Sequence, residues 1–100
     1  MFIHTVYFYL RSGATAAARD QLMADCKAYL GKIPTVKSLW VGVPAMTPRE
    51  VVDNTYGVGL TVALEDSAGH DVYQGHSLHK DFIERNKETW ERVKIYDYIT

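Results

Sequence analysis

"FIHTVYFYL", residues Phe2–Leu10, decides the fold. The stretch is dense in β-branched and aromatic residues, and "RSG" after it supplies a turn, so it reads as a strand. Side chains of a strand alternate between its two faces. One face therefore carries His4, Val6 and Phe8; the other carries Ile3, Thr5, Tyr7 and Tyr9. A strand with two such faces belongs inside a structure covered on both sides, and the rest of the chain must supply the covers.

Outward from this strand, "TAAARDQLMADCKAYLGKI" switches to helical spacing. Ala18, Leu22, Cys26, Tyr29 and Ile33 share one face, Thr15 is placed to cap the start, and Gly31 and Pro34 mark the end. "TVKSLWVGV" follows as a second strand. In the connection from Pro44 to Asn54, Thr47, Pro48 and Glu50 occupy N-cap, N1 and N3 positions and predict a short helical turn. "TYGVGLTVALE" is a third strand, with Gly57 and Gly59 on one face and Val58, Leu60 and Val62 on the other. A helical region from Ser67 breaks near "QGHS", and its second piece is expected from Ser77 to about Arg92. Leu78, Phe82, Ile83, Asn86 and Trp90 sit at helical spacing there. "VKIYDYI" closes as a fourth strand.

The order βαββαβ is that of a ferredoxin-like α+β sandwich, a four-stranded antiparallel sheet with two helices on one face. One hundred residues suit a single domain spanning 1–100. The helices cover only the face that carries His4, Val6 and Phe8. The other face presents Thr5, Tyr7, Tyr9, Trp40, Thr61, Ala63, Tyr96 and Tyr98, too large an apolar surface to leave in water. A second copy packed sheet to sheet is the direct solution, so a homodimer is expected, with Gly57 and Gly59 allowing close approach of the partner sheet.

Charge narrows the partners. Eleven lysines and arginines against twelve acids leave a formal net charge of −1. That balance gives no basis for a nucleic-acid or anionic-membrane partner. The one cysteine, Cys26, excludes an internal disulfide and fits a reduced, cytoplasmic setting. The apolar run at the start is too short to span a bilayer and lacks the marks of a signal peptide.

Chemistry concentrates in "VYQGHSLHKDF", Val72–Phe82, and at His4. His4 is a polar group among Val6, Phe8 and Val62, and a buried imidazole needs a partner or a purpose. Histidine is the side chain suited to proton transfer near neutral pH, and a phenol such as Tyr73 can hold or relay a proton. Positioned acid–base groups contribute on the order of 10² to 10⁴ in rate. Taken singly, Tyr73 and His76 border a helix break where polar groups often satisfy free backbone, and His79 could be a hydrogen-bonded core histidine. His76 and His79, three apart, could share a metal with His70 or His4. A stable site wants three or four ligands, and no HExxH motif or cysteine pair accompanies them, so no metal is expected. Cys26 on the apolar helix face reads as core. No phosphate loop, Ser-His-Asp order or carboxylate pair stands out.

"HTVYF", "GKIPTVKSLWVG", "VYQGHSLHKDF" and "IYDY", in this order across nearly the whole chain, resemble the stress-responsive A/B barrel (Dabb) family, a branch of the dimeric α/β barrel proteins. The resemblance implies a dimer closed into an α/β barrel. A family member with defined chemistry is the plant polyketide cyclase that makes olivetolic acid. It works without a cofactor, through a histidine and a tyrosine in a pocket between helices and sheet. By motif, His79 matches the catalytic histidine, Tyr73 the tyrosine and His4 a further pocket histidine. A third-strand histidine of the cyclase is Val58 here, a departure from its pattern. The pocket expected on this basis is lined by Val6, Phe8, Leu22, Val58, Phe82 and Trp90. The resulting expectation is a cofactor-independent acid–base protein of cyclase, lyase or isomerase type that binds a small aromatic or polyketide-like molecule. A non-catalytic stress or assembly protein is the competing class. A cofactor-free monooxygenase of the antibiotic-biosynthesis type is a third, which the "HxxH" helix start fits less well.

Overall fold

In the computed structural model, which describes residues 1–100, Phe2–Leu10 form strand β1. Strands β2 (Val36–Gly42), β3 (Val58–Leu64) and β4 (Trp90–Ile99) complete one antiparallel sheet in the order β2-β3-β1-β4. β1 is central, so the alternation of its side chains sets both faces of the sheet. Its partners place His4 between Val62 and Asp97, and Thr5 between Thr61 and Tyr96.

Three helices lie on the His4 face. Helix α1 (Ala16–Ala28) starts where the Thr15 hydroxyl accepts from the Ala18 N–H at 3.0 Å, satisfying one of the free donors of the first turn. It passes into a 3-10 turn at Leu30–Lys32. Helix α2 (Ser67–Gly75) is capped by Asp66, which accepts from the Gly69 N–H at 2.8 Å. Helix α3 (Ser77–Asn86) is capped by His76, whose Nδ1 accepts from the Leu78 N–H at 3.1 Å. The break near "QGHS" thus falls at His76. Leu22, Cys26, Leu30 and Ile33 pack against Val6, Phe8, Val58, Leu60, Val62 and Leu64, with Tyr73 and Phe82 from the later helices closing the core. Burial pushes the Cys26 thiol up to about 12, so it sits there as an inert core group.

In its elements and sheet faces the structure departs from the sequence reading at four places. The segment around "TPRE" forms no helix: the Arg49 N–H reaches Thr47 C=O and the Val52 N–H reaches Arg49 C=O, so the backbone makes isolated turns. Helix α3 stops at Asn86 and does not reach Arg92. A turn closed by the Thr89 N–H on Asn86 C=O redirects the chain, and Trp90 opens β4 beside Leu10. Gly57 and Gly59 make room within their own chain: a Cβ at Gly57 would collide with the Leu10 side chain, and one at Gly59 would lie 3.3 Å from the Tyr56 ring. Tyr9 is not free on the open face. Its hydroxyl donates to Asp53 at 3.2 Å, and the Arg92 guanidinium stacks 3.8 Å from its ring centroid.

Asp25, unremarked in the sequence, is buried at the end of α1. It accepts from Arg85 Nε at 2.9 Å and from Asn86 Nδ2 at 2.9 Å, tying α1 to the last turn of α3. No helix is long and apolar enough to cross a membrane.

Candidate active site

The helices lie over β1 and β3 and leave the inner face of the edge strand β4 partly open, with Val93 and Ile95 exposed. Between that face and α3 lies a cavity of about 400 Å³. Its walls include Val6, Phe8, Leu60, Phe82, Ile83, Trp90, Val93 and Ile95, with Gln74 and Lys87 as polar members. Sites for small organic ligands are typically apolar clefts of about 300–1,000 Å³ with a few convergent polar groups. Here His4, Tyr73 and His79 supply those groups.

Each reaches the cavity from a different element. His4 projects inward from β1, Tyr73 from α2 and His79 from the first turn of α3. The Tyr73 and His79 ring centroids are 5.0 Å apart, edge to face, and those of His4 and Tyr73 5.7 Å apart. Of the expected pocket residues, Val6, Phe8, Phe82 and Trp90 line the cavity. Leu22 and Val58 do not: both are fully enclosed in the core. Replacing a histidine by Val58 therefore affects the packing behind the cavity and not its wall.

The His4 imidazole finds the partner its burial demands in Asp97, its cross-strand neighbour on β4, at 2.6 Å between Nδ1 and Oδ1. A carboxylate only accepts, so Nδ1 carries the proton of this bond. Asp97 is the residue the sequence reading missed. Its signal was available: it shares its side of β4 with Val93, Ile95 and Ile99, the one charged group in an apolar row. His70 entered the sequence reading only as an optional partner of His76 and His79, although it lies three before Tyr73 on one helix face. It stacks on Phe2 at 4.4 Å and stands 4.8 Å from His4, ring centroid to centroid.

The electrostatics separate the roles of two of the cavity groups, His79 and Tyr73. Burial, reinforced by His4 and His70, holds His79 below its usual 6.5, so at neutral pH it is an uncharged base. Burial first, and Cys26 second, push the Tyr73 phenol above its usual 10. The phenol therefore stays protonated and is a hydrogen-bond donor. A neutral imidazole beside a protonated phenol in an apolar cavity can take a proton next to a carbonyl while a donor meets the oxygen.

His76 directs its Nδ1 to the cap of α3, and neither it nor His79 belongs to the cluster of ligand atoms at metal-binding separation. The groups that gather at metal-binding separation are instead His4, His70 and Asp97, whose ligand atoms all lie within 4.8 Å of one another.

Residues 2–100 match the family described as Stress responsive A/B Barrel Domain. No functionally curated protein matches the chain. Among solved structures, a Dabb family protein with a ferredoxin-like fold from Mesorhizobium loti superposes with a TM-score of 0.80 at 24% identity, covering 99% of this chain and 95% of that one. A dimeric ferredoxin-like protein of unknown function from Thermobifida fusca gives 0.83 at 15% identity, covering 99% and 90%. The hydroxynitrile lyase of Passiflora edulis gives 0.82 at 16% identity, covering 99% and 92%.

Proposed function

The chain belongs to the stress-responsive A/B barrel family, and from that premise we propose that it is a homodimer that binds a small apolar carbonyl compound in each subunit and moves a proton on it. His79 is the base, the Tyr73 phenol donates to the carbonyl oxygen, and His4, oriented by Asp97, supports the polar end of the cavity. The observation that carries this reading is the placement of the His79 and Tyr73 rings 5.0 Å apart on the wall of one apolar cavity, where burial favours the neutral form of both. Neighbouring titratable groups perturbed by burial in one cleft are a mark of functional sites. An aromatic or polyketide-like substrate suits the walls, where Phe8, Phe82 and Trp90 offer ring faces and edges. A cyclisation, isomerisation or lyase step would each begin with this proton transfer.

The dimer rests on the other face of the sheet. Trp40, Tyr96 and Tyr98 are 60%, 56% and 57% exposed there, an aromatic surface that a second sheet would cover. The Thermobifida fusca protein of the same fold is described as dimeric.

Deuterium exchange into the methyl group of acetophenone, followed by NMR, tests the chemistry without knowledge of the natural substrate. The protein should accelerate exchange above buffer, and His79→Ala, shown folded by circular dichroism, should lose about 10² to 10⁴ of that acceleration. Exchange no faster than in buffer, or a folded His79→Ala protein with full rate, would refute the assignment.

A further inference from the structure

We propose that His4, His70 and Asp97 form a binding site for a divalent transition-metal ion of the zinc class, one per chain. The three residues come from β1, α2 and β4, and their ligand atoms lie within 4.8 Å of one another. Two imidazoles and one carboxylate are a ligand set that suits Zn²⁺, Co²⁺ or Ni²⁺, whereas Mg²⁺ and Ca²⁺ prefer oxygen alone.

A second observation singles out this cluster. His70 Nε2 is fully enclosed and has no hydrogen-bond partner. An orphaned buried nitrogen is uncommon and calls for an explanation, of which an ion is one. The ring is held in place by its stack on Phe2, and the start of its helix is fixed by the Asp66 cap and by the Thr35 hydroxyl donating to Gly69 C=O at 2.9 Å. His4 is likewise a buried group on the central strand. Only Asp97 is partly exposed, its side chain 35% accessible, which leaves an entry for the ion and room for water as a further ligand. Bonds of about 2.0–2.2 Å at tetrahedral angles set ligand atoms about 3.3 Å apart. The 2.6 Å contact between His4 and Asp97 must open slightly to admit an ion, while wider pairs close toward it. The carboxylate moves most easily, being the exposed member.

This inference goes beyond the proton-transfer reading, since neither His79 nor the Tyr73 phenol is a ligand. The test is titration of the chelator-treated full chain with Co²⁺, followed by displacement with Zn²⁺. Saturation at one Co²⁺ per chain is expected, with the visible absorption of a low-coordinate ion that Zn²⁺ then abolishes. Loss of an outer-shell partner already costs about 10–100-fold in affinity, so loss of a ligand should cost at least about a hundredfold. That loss is expected in His70→Leu and in Asp97→Asn. The second of these changes a partly exposed strand residue and keeps the proposal testable if the first misfolds. His76→Asn, which retains a capping side chain, should bind as the parent does. Absence of saturable binding, unchanged affinity in a folded Asp97→Asn protein, or loss of binding in His76→Asn would overturn the site. Acetophenone exchange by metal-free protein is read separately, so failure of the metal site leaves the His79 assignment standing, and the reverse holds.

Discussion

Tyr73→Phe separates a chemical role for the phenol from a structural one. The residue is 1% exposed and its ring packs edge-on against His4 and His79, contacts that phenylalanine keeps. The hydroxyl makes no hydrogen bond with another residue and lies on the cavity wall. Burying a hydroxyl without a partner costs about 1–3 kcal/mol by mutational measures. Because the group borders a cavity and keeps some contact with water, the relief on deleting it should lie between zero and about 1 kcal/mol. For a domain of this size about 1 kcal/mol moves Tm by roughly 4–8 °C. Tyr73→Phe should therefore melt at the parent temperature or up to about 8 °C above it, at equal protein concentration. Removing a donor aimed at a developing oxyanion costs about 10² to 10³ in rate, and acetophenone exchange should fall by that much. A Tm lowered by several degrees would show that the hydroxyl holds the fold together. An unchanged exchange rate would show that it does not meet the oxygen.

Three further outcomes follow from other parts of the molecule. Asp25→Ala leaves the buried Asn86 amide with the Phe82 C=O as its one remaining acceptor and Arg85 at the surface without its partner; the loss should be about 1–3 kcal/mol, less than for a fully buried pair because Arg85 is half exposed, and is read by urea denaturation. A loss under about 0.5 kcal/mol, the scatter of ordinary surface changes, would count against the clamp. His79 sits below its usual 6.5 in the folded chain, so the unfolded chain takes up its proton first: its share of stability is complete above 6.5 and declines as pH falls from there toward the folded value. Tm of chelator-treated protein should drop over that window, less so in His79→Gln, and the acid limb of the exchange rate should have its midpoint below 6.5; a midpoint above it contradicts the burial argument. Trp40→Glu puts a charge into the exposed aromatic face and should yield a folded monomer by light scattering at micromolar concentration, and a persisting dimer would move the interface elsewhere.

How much of this could be read from the sequence depended on the range of the forces involved. The strand Phe2–Leu10 and the Thr15 cap were legible because alternation and capping are local. Tyr73, His79 and His4 were legible through motif resemblance and the unease of a histidine in an apolar row. The end of α3 was misread because Trp90 continues the helical spacing of Phe82 and Asn86. Its position is decided by pairing beside Leu10 and by a turn that periodicity does not register. Asp97 was missed for a related reason. Its meaning comes from a residue 93 positions away, and only the register of β1 against β4 brings the two together. The clustering of His70 with them needs, in addition, the docking of α2 on the sheet.

The clamp at Asp25 and the cap at His76 together determine how the cavity can change size. α3 is held at both ends, at its start by following α2 with only the capping residue His76 between them, and at its end by Asn86 and Arg85 on Asp25. A rod fixed at two points bows little, so a bulkier guest is not admitted by lifting the helix. Adaptation is left to side chains along its length and to Val93 and Ile95 on the opposite strand, which no helix covers closely. Substrate preference in this chain should therefore drift through one-residue changes at those wall positions, with the backbone and the proton-transfer groups left where they are.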